Sequence, residues 1–331
     1  MPHAAERTPP TPPGGWFWRG EWGDVRSNSP TLLHARAIIE DVKPLTRDGL
    51  SPLQPLADAF SRAVPEHPAD NGLFGPRSAV WRLHRDRSFP VAAIRSLMLQ
   101  ALHPLAMAGV AQHSDWRRDP FGRLAATSGY VLTVTYGERA AALAAAERVR
   151  AIHKHVRGLD DVTGLPYRAD DPALLLWVHA AMVDSIVSIA QRYGRPLAAD
   201  DPDRYVAEMV PFAVIVGVPE ETVPTSRAEL ADYLGSVQLL QATPAAHDAI
   251  GFVLDPPDLD ADMRDTWRDM GQAAVGSLPD WARSLYGFPA PPPAALDRHT
   301  VRQVVGVLDL GFESLPGVLE ARQRIELRMR A

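Results

Sequence analysis

The 331-residue sequence contains no cysteine. That excludes disulfides, thiolate nucleophiles, iron–sulfur clusters, zinc–thiolate sites and a cysteine-ligated haem. Lysine is almost as scarce: Lys43 and Lys154 are the only two, so arginine supplies nearly all of the positive charge. No excess of that charge exists. The 34 basic residues face 40 acidic ones, a formal net charge of −6, which gives no basic field for nucleic acid. Long apolar runs are missing as well. Stretches such as 173–178 and 211–218 fall far short of the ~18–20 residues of a membrane-spanning helix. The proline-rich start, MPHAAERTPPTPPG, lacks the apolar segment of a signal peptide. The expectation is a cytoplasmic protein with no membrane span.

Several chemistries lack their motifs. There is no G-x-G-x-x-G, Walker loop, G-x-S-x-G or H-E-x-x-H. No E-x-x-H pair is present either, which argues against a di-iron carboxylate bundle. Asp258, Asp260 and Asp262, just after Asp255, partly imitate a calcium loop. Its sixth position is Met263 rather than glycine and its twelfth is Asp269 rather than glutamate. A loop capping the next helix is the better reading.

What is present is ordinary globular composition, 46% hydrophobic and 22% charged. Residues 1–30 read as an N-terminal extension whose aromatic cluster, Trp16, Phe17, Trp18 and Trp22, either docks on the body or meets a partner. From about residue 31 the text is helical. Apolar residues on every side of 90–112 predict a buried helix. Asp119 followed by Pro120, and Asp171 followed by Pro172, are N-cap signals opening helices to about 134 and 193. A helix over 138–156 lies between them, with Gly158 as its stop. Further helices are expected near 202–216, 226–240, 260–277, 298–311 and 316–329. The β-rich text YVLTVTY at 130–136 continues a helical segment, and FPAPPP at 288–293 is a stiff connector. The fold class is all-α, with one large helical domain over 31–331.

In a cysteine-free helical chain, site chemistry falls largely to the eleven histidines. In RVRAIHKHVRG, helical spacing places Arg150, His153 and Arg157 on one face, with Val149, Ile152 and Val156 beside them. A histidine flanked by arginines one turn away suits a large anion with apolar faces, and haem is one: its iron needs an axial imidazole and its carboxylates pair with arginine. A surface helix with solvated arginines is the plainer alternative. Arg123 and Thr127, one turn apart, can face a common cavity and position dioxygen or a substrate, or each can bond its own surroundings. His103, His113 and His179 lie on apolar segments, and core packing competes there with a ligand role.

The segments LQALHPLAMAGVAQHS, DPFGRLAAT, TYGERAA, RVRAIHKHVRG, YRADDPALLLWVHAAMV and GVP, in this order over about 75–220, resemble the MpaB-like oxygenases, the family that includes the latex-clearing rubber oxygenases. The resemblance implies an all-α fold enclosing a pocket for haem b. It makes His153 the proximal iron ligand and places Arg123 and Thr127 on the distal side. Where the family's rubber oxygenases carry a distal lysine this chain has Ala126, and Met107 falls near the place of their glutamate base. The haem is then expected to be five-coordinate, or to take water or a distal histidine, and rubber cleavage is not expected.

The resulting expectation is a haem b-dependent oxygenase or oxidase using dioxygen or peroxide on a small or medium apolar substrate, with an electron donor as a further partner. Arg123 and Thr127 would polarise the bound oxidant. His103 or His113 would be the proton donor, Arg150 or Arg157 would hold a propionate, and His179 would join the cofactor pocket. A haem-binding gas sensor or carrier without turnover, and a metal-free helical binding module, remain as alternatives.

Overall fold

Asp119 and Asp171 each cap a helix. The Asp119 carboxylate accepts from the Gly122 N–H at 2.8 Å, and that of Asp171 from the Ala173 N–H at 2.8 Å. They belong to a computed structural model that describes residues 45–46, 48–257, 259–288 and 297–331. The N-terminal aromatic cluster, the 1–30 extension and all but the first residue of the 288–293 connector lie outside the described residues. Those described belong to one compact unit, Lys43–Ala331.

The helices are α1 (Gln54–Ala63), α2 (Ala79–His84), α3 (Phe89–Ala101), α4 (Pro104–His113), α5 (Pro120–Tyr136) and α6 (Arg139–His153). A short antiparallel hairpin follows, β1 (Arg157–Leu159) and β2 (Pro166–Arg168), in the register Gly158 opposite Tyr167. Then come α7 (Pro172–Tyr193), α8 (Asp201–Glu208), α9 (Val210–Val214), α10 (Arg227–Ser236), α11 (Pro244–Leu254), α12 (Ala261–Ser277), α13 (Asp280–Tyr286), α14 (Arg298–Glu313) and α15 (Val318–Arg330). The class is all-α.

Four local differences from the sequence expectation have physical causes. The helix over 90–112 breaks into α3 and α4, bent by 103°. Pro104 forces its predecessor out of the helical region, and His103 is extended at φ −86°, ψ 110°. The helix over 138–156 stops at His153, and Arg157 lies on β1, so Arg157 does not share a helix face with His153. Gly158 is a strand residue, not a helix stop; a Cβ there would come within 2.8 Å of the Tyr167 hydroxyl. The stretch 202–216 splits at Met209, one residue before the Val210–Pro211 pair, because proline has no N–H to return to the preceding turn. The segment 130–136 is helical, as read from its neighbours.

The core centres on α3 against α7 and on α1 against α5, and buries Trp81, Trp177, Tyr136 and Met98 completely. At 22 residues, α7 has the length and apolarity to cross a membrane, but 78% of its apolar window is buried in the fold, as befits a core helix. A buried ion network fixes it. Asp184 on α7 pairs with Arg95 of α3 at 2.7 Å and with Arg227 of α10 at 2.9 Å, and Arg95 also donates to the Ser185 hydroxyl at 2.7 Å. Asp260 caps α12 by accepting from the Met263 N–H at 2.8 Å, the capping role its loop suggested.

Candidate functional site

Helices α5 and α6 form an antiparallel pair joined only by Gly137 and Glu138. The start of α5 therefore lies beside the end of α6, which brings Arg123 alongside His153. The histidine senses that charge: burial first, then the Arg123 guanidinium, lowers its pKa, with Asp170 pulling the other way. The ring is held neutral, the form that binds a metal. Its Nδ1 is buried and has no hydrogen-bond partner among the described residues. An orphaned nitrogen of this kind is costly unless something not of this chain completes it.

Arg123 is exposed. Its guanidinium makes no hydrogen bond or ion pair among the described residues, and partial desolvation lowers its pKa. It borders a cavity of about 890 Å³ whose wall is mostly apolar and includes Phe121, Leu124, Val178, Phe252 and Trp267. Thr127 borders the same cavity, and its hydroxyl donates to the Arg123 carbonyl at 3.1 Å. Two aromatic pairs brace this end, Phe121 with Trp267 and Trp116 with Phe252. Val178 keeps 38% of its surface open in the middle of the mostly buried α7, at the cavity wall.

The other histidines occupy distinct settings. His103 is buried against the Trp177 ring, its Nδ1 also unpartnered, and burial lowers its pKa against the pull of Asp171. His179 is buried against Phe212 with an unpartnered Nδ1, and burial pushes its pKa down to about 4. His113 is exposed and 3.1 Å from the Tyr167 hydroxyl. That hydroxyl donates to Gln112 at 2.7 Å, so it accepts from His113, which thereby pins α4 to the hairpin. None of these three histidines, nor His153, is part of the cavity wall; Arg123 is the residue that connects His153 to it. Arg150 is exposed and donates to the Ile215 carbonyl at 3.2 Å, while Arg157 donates to the Lys154 carbonyl.

Three residues escaped the sequence reading. His84 is buried between the Thr135 hydroxyl (2.8 Å) and the Tyr205 hydroxyl (3.0 Å) and borders the cavity. Tyr130 and Phe212 sit between α5, α9 and α7, with ring centroids 5.4 Å apart. For Tyr130 a signal existed: it lies seven residues after Arg123, on the same helical stripe as Arg123 and Thr127.

Among the described residues, no three His, Asp or Glu side chains assemble to hold a bare metal ion. What the described residues bring together instead, in an all-α protein, is a half-buried imidazole with an unpartnered Nδ1, an arginine with no side-chain partner and an adjoining apolar cavity. The family model described as ER-bound oxygenase mpaB/B'/Rubber oxygenase, catalytic domain, matches residues 81–310. That is well over half of the chain, and the chain belongs to this family of oxygenase catalytic domains. Comparison with curated proteins and comparison with solved structures each gave no match.

Proposed function

We propose that the chain is a haem b-dependent oxygenase or oxidase acting on a small or medium apolar substrate. The observation that carries this reading is the half-buried, neutral His153, whose buried Nδ1 has no partner among the described residues, beside Arg123, a residue of the apolar cavity's wall. The unpartnered Nδ1 of His153 is the feature that supports this cofactor. His153 would be the axial ligand through neutral imidazole, and Arg150, one turn earlier on α6, with Arg157 on β1 would offer cations to its carboxylates. Bound iron protoporphyrin would supply the one-electron and dioxygen chemistry that no side chain offers.

The chain's own residues do the rest. Arg123 presents donors at the cavity wall to hold a polar oxidant, and Thr127, whose hydroxyl proton is given to the Arg123 carbonyl, presents an acceptor beside them. The aromatic braces at Trp116 and Phe121 exclude water from an apolar substrate. His103 is the nearer fit to a proton carrier, since its Nδ1 is free whereas His113 is engaged with Tyr167. With Ala126 in the helix between Arg123 and Thr127, no lysine can approach the iron from that turn. A cytoplasmic location is part of the proposal.

Reconstitution with haem b tests it. The expected result is a 1:1 complex with an intense Soret band and dioxygen consumption once a reductant and an apolar substrate are added. A protein that stays colourless under haem excess contradicts the proposal. A stable haem complex with no dioxygen uptake under any reductant favours the carrier or sensor instead.

A further inference from the structure

Tyr130 is the third member of the α5 stripe that begins with Arg123 and Thr127. Its hydroxyl is buried and has no hydrogen-bond partner among the described residues. A phenol stripped of water and left unpaired costs free energy without return, unless an acceptor arrives from elsewhere. Its ring is fixed edge-on against Phe212. Arg150 reaches the same place from α6. One of its N–H groups bonds the Ile215 carbonyl at 3.2 Å, three residues beyond Phe212, and its charge is felt at the phenol. The remaining N–H groups of Arg150 have no partner among the described residues. One buried hydroxyl donor and one exposed cation with spare donors thus lie within electrostatic reach of each other, and the phenol has no acceptor among the described residues. Burial raises the phenol's pKa, so the hydroxyl keeps its proton and donates.

We infer that Tyr130 and Arg150 together bind a carboxylate. The assignment of its source rests on the haem proposal: it is either a propionate of the cofactor or the acid head of an otherwise apolar substrate. A neutral phenol and a guanidinium make charge-assisted hydrogen bonds to the two oxygens of such a group, each worth about 1.5–3 kcal/mol. Tyr130 in this role is a positioning residue, since it fixes the orientation of the group and touches no reacting bond.

The test titrates wild type, Tyr130→Phe and Arg150→Gln with haem b, with its dimethyl ester, which has no free carboxylate, and with decanoate. If the carboxylate is a propionate, wild type prefers haem b over the ester by about tenfold. Both variants erase that preference, while the Soret position is unchanged. If it is a substrate acid, the haem titrations coincide and decanoate binding weakens about tenfold in both variants. Variants equal to wild type with all three probes overturn the inference. Wild type that binds neither porphyrin defeats the haem proposal alone and leaves decanoate to decide. Thermal melting of the unloaded proteins provides a second measure. Tyr130→Phe should melt at the same temperature or higher, because no internal bond is lost. A clear drop would reveal a partner within the chain and overturn the inference.

Discussion

At the scale of single residues, His84 and His179 show how burial turns titration into stability. Thr135 donates to the Val131 carbonyl at 2.8 Å, so it accepts from Nδ1–H of His84, and the Tyr205 hydroxyl donates to Nε2. The ring is fully satisfied only when neutral, and burial holds its pKa at about 3; that of His179 is about 4. Both lie below the ordinary value of 6.5. The unfolded chain therefore binds protons more readily, and the stability these rings contribute is full above pH 6.5 and lost as pH falls towards 4 and 3. Between pH 6.5 and 5 each ring should cost about 2 kcal/mol. Urea unfolding of the haem-free protein at pH 7 and pH 5 should show this loss, and His179→Leu should shrink it by about 2 kcal/mol. An unaltered pH dependence in His179→Leu would rule out the buried neutral ring.

At the scale of elements, the start of α5 carries the site. Asp119 holds that start through its bond to the Gly122 N–H, one residue before Arg123. Asp119→Ala should cost about 1 kcal/mol by chemical unfolding and loosen Arg123, so haem affinity should fall with it. Unchanged stability would show that the cap contributes nothing. The sequence revealed this helix well because Asp-Pro states its beginning in two residues. It revealed Arg123 and Thr127 for the same reason, since one turn separates them whatever the tertiary fold. Arg157 was misplaced because an i, i+4 spacing has meaning only inside a continuous helix, and α6 ends at His153. The hairpin that replaces the last turn has strands of three residues, too short for any alternation to show. The bend at His103 was announced by Pro104, yet the all-apolar text around it read as one buried helix. Tyr130 shares the stripe of Arg123 and Thr127, but only its unpartnered state in the fold distinguishes it from an aromatic core residue.

At the scale of the whole molecule, the helices are registered by a few buried charges as well as by apolar packing. Asp184 joins α3, α7 and α10 through Arg95 and Arg227, with Arg95 only 3% exposed at its side chain. Removing the carboxylate leaves a buried guanidinium unpaired, which costs about 3–5 kcal/mol. Asp184→Ala should therefore lower the urea midpoint strongly, whereas the exposed pair Arg268–Asp265 should matter by less than about 1 kcal/mol. Equal effects from the two would contradict a structural role for the buried network. Family membership and helical class were readable from the chain because both rest on local text in a fixed order. The cavity was not, because its wall gathers residues from Leu53 to Arg330 that no local pattern relates.

The bond that the His153 imidazole would make to iron in the proposed haem complex is the one the chain itself does not contain. The Soret band and the low-temperature electron paramagnetic resonance spectrum of reconstituted protein, wild type against His153→Ala, address it directly. The expected result is a histidine-ligated ferric spectrum in wild type, its loss in the variant, and its return when free imidazole is added. A variant that binds haem with the spectrum and affinity of wild type would contradict the account.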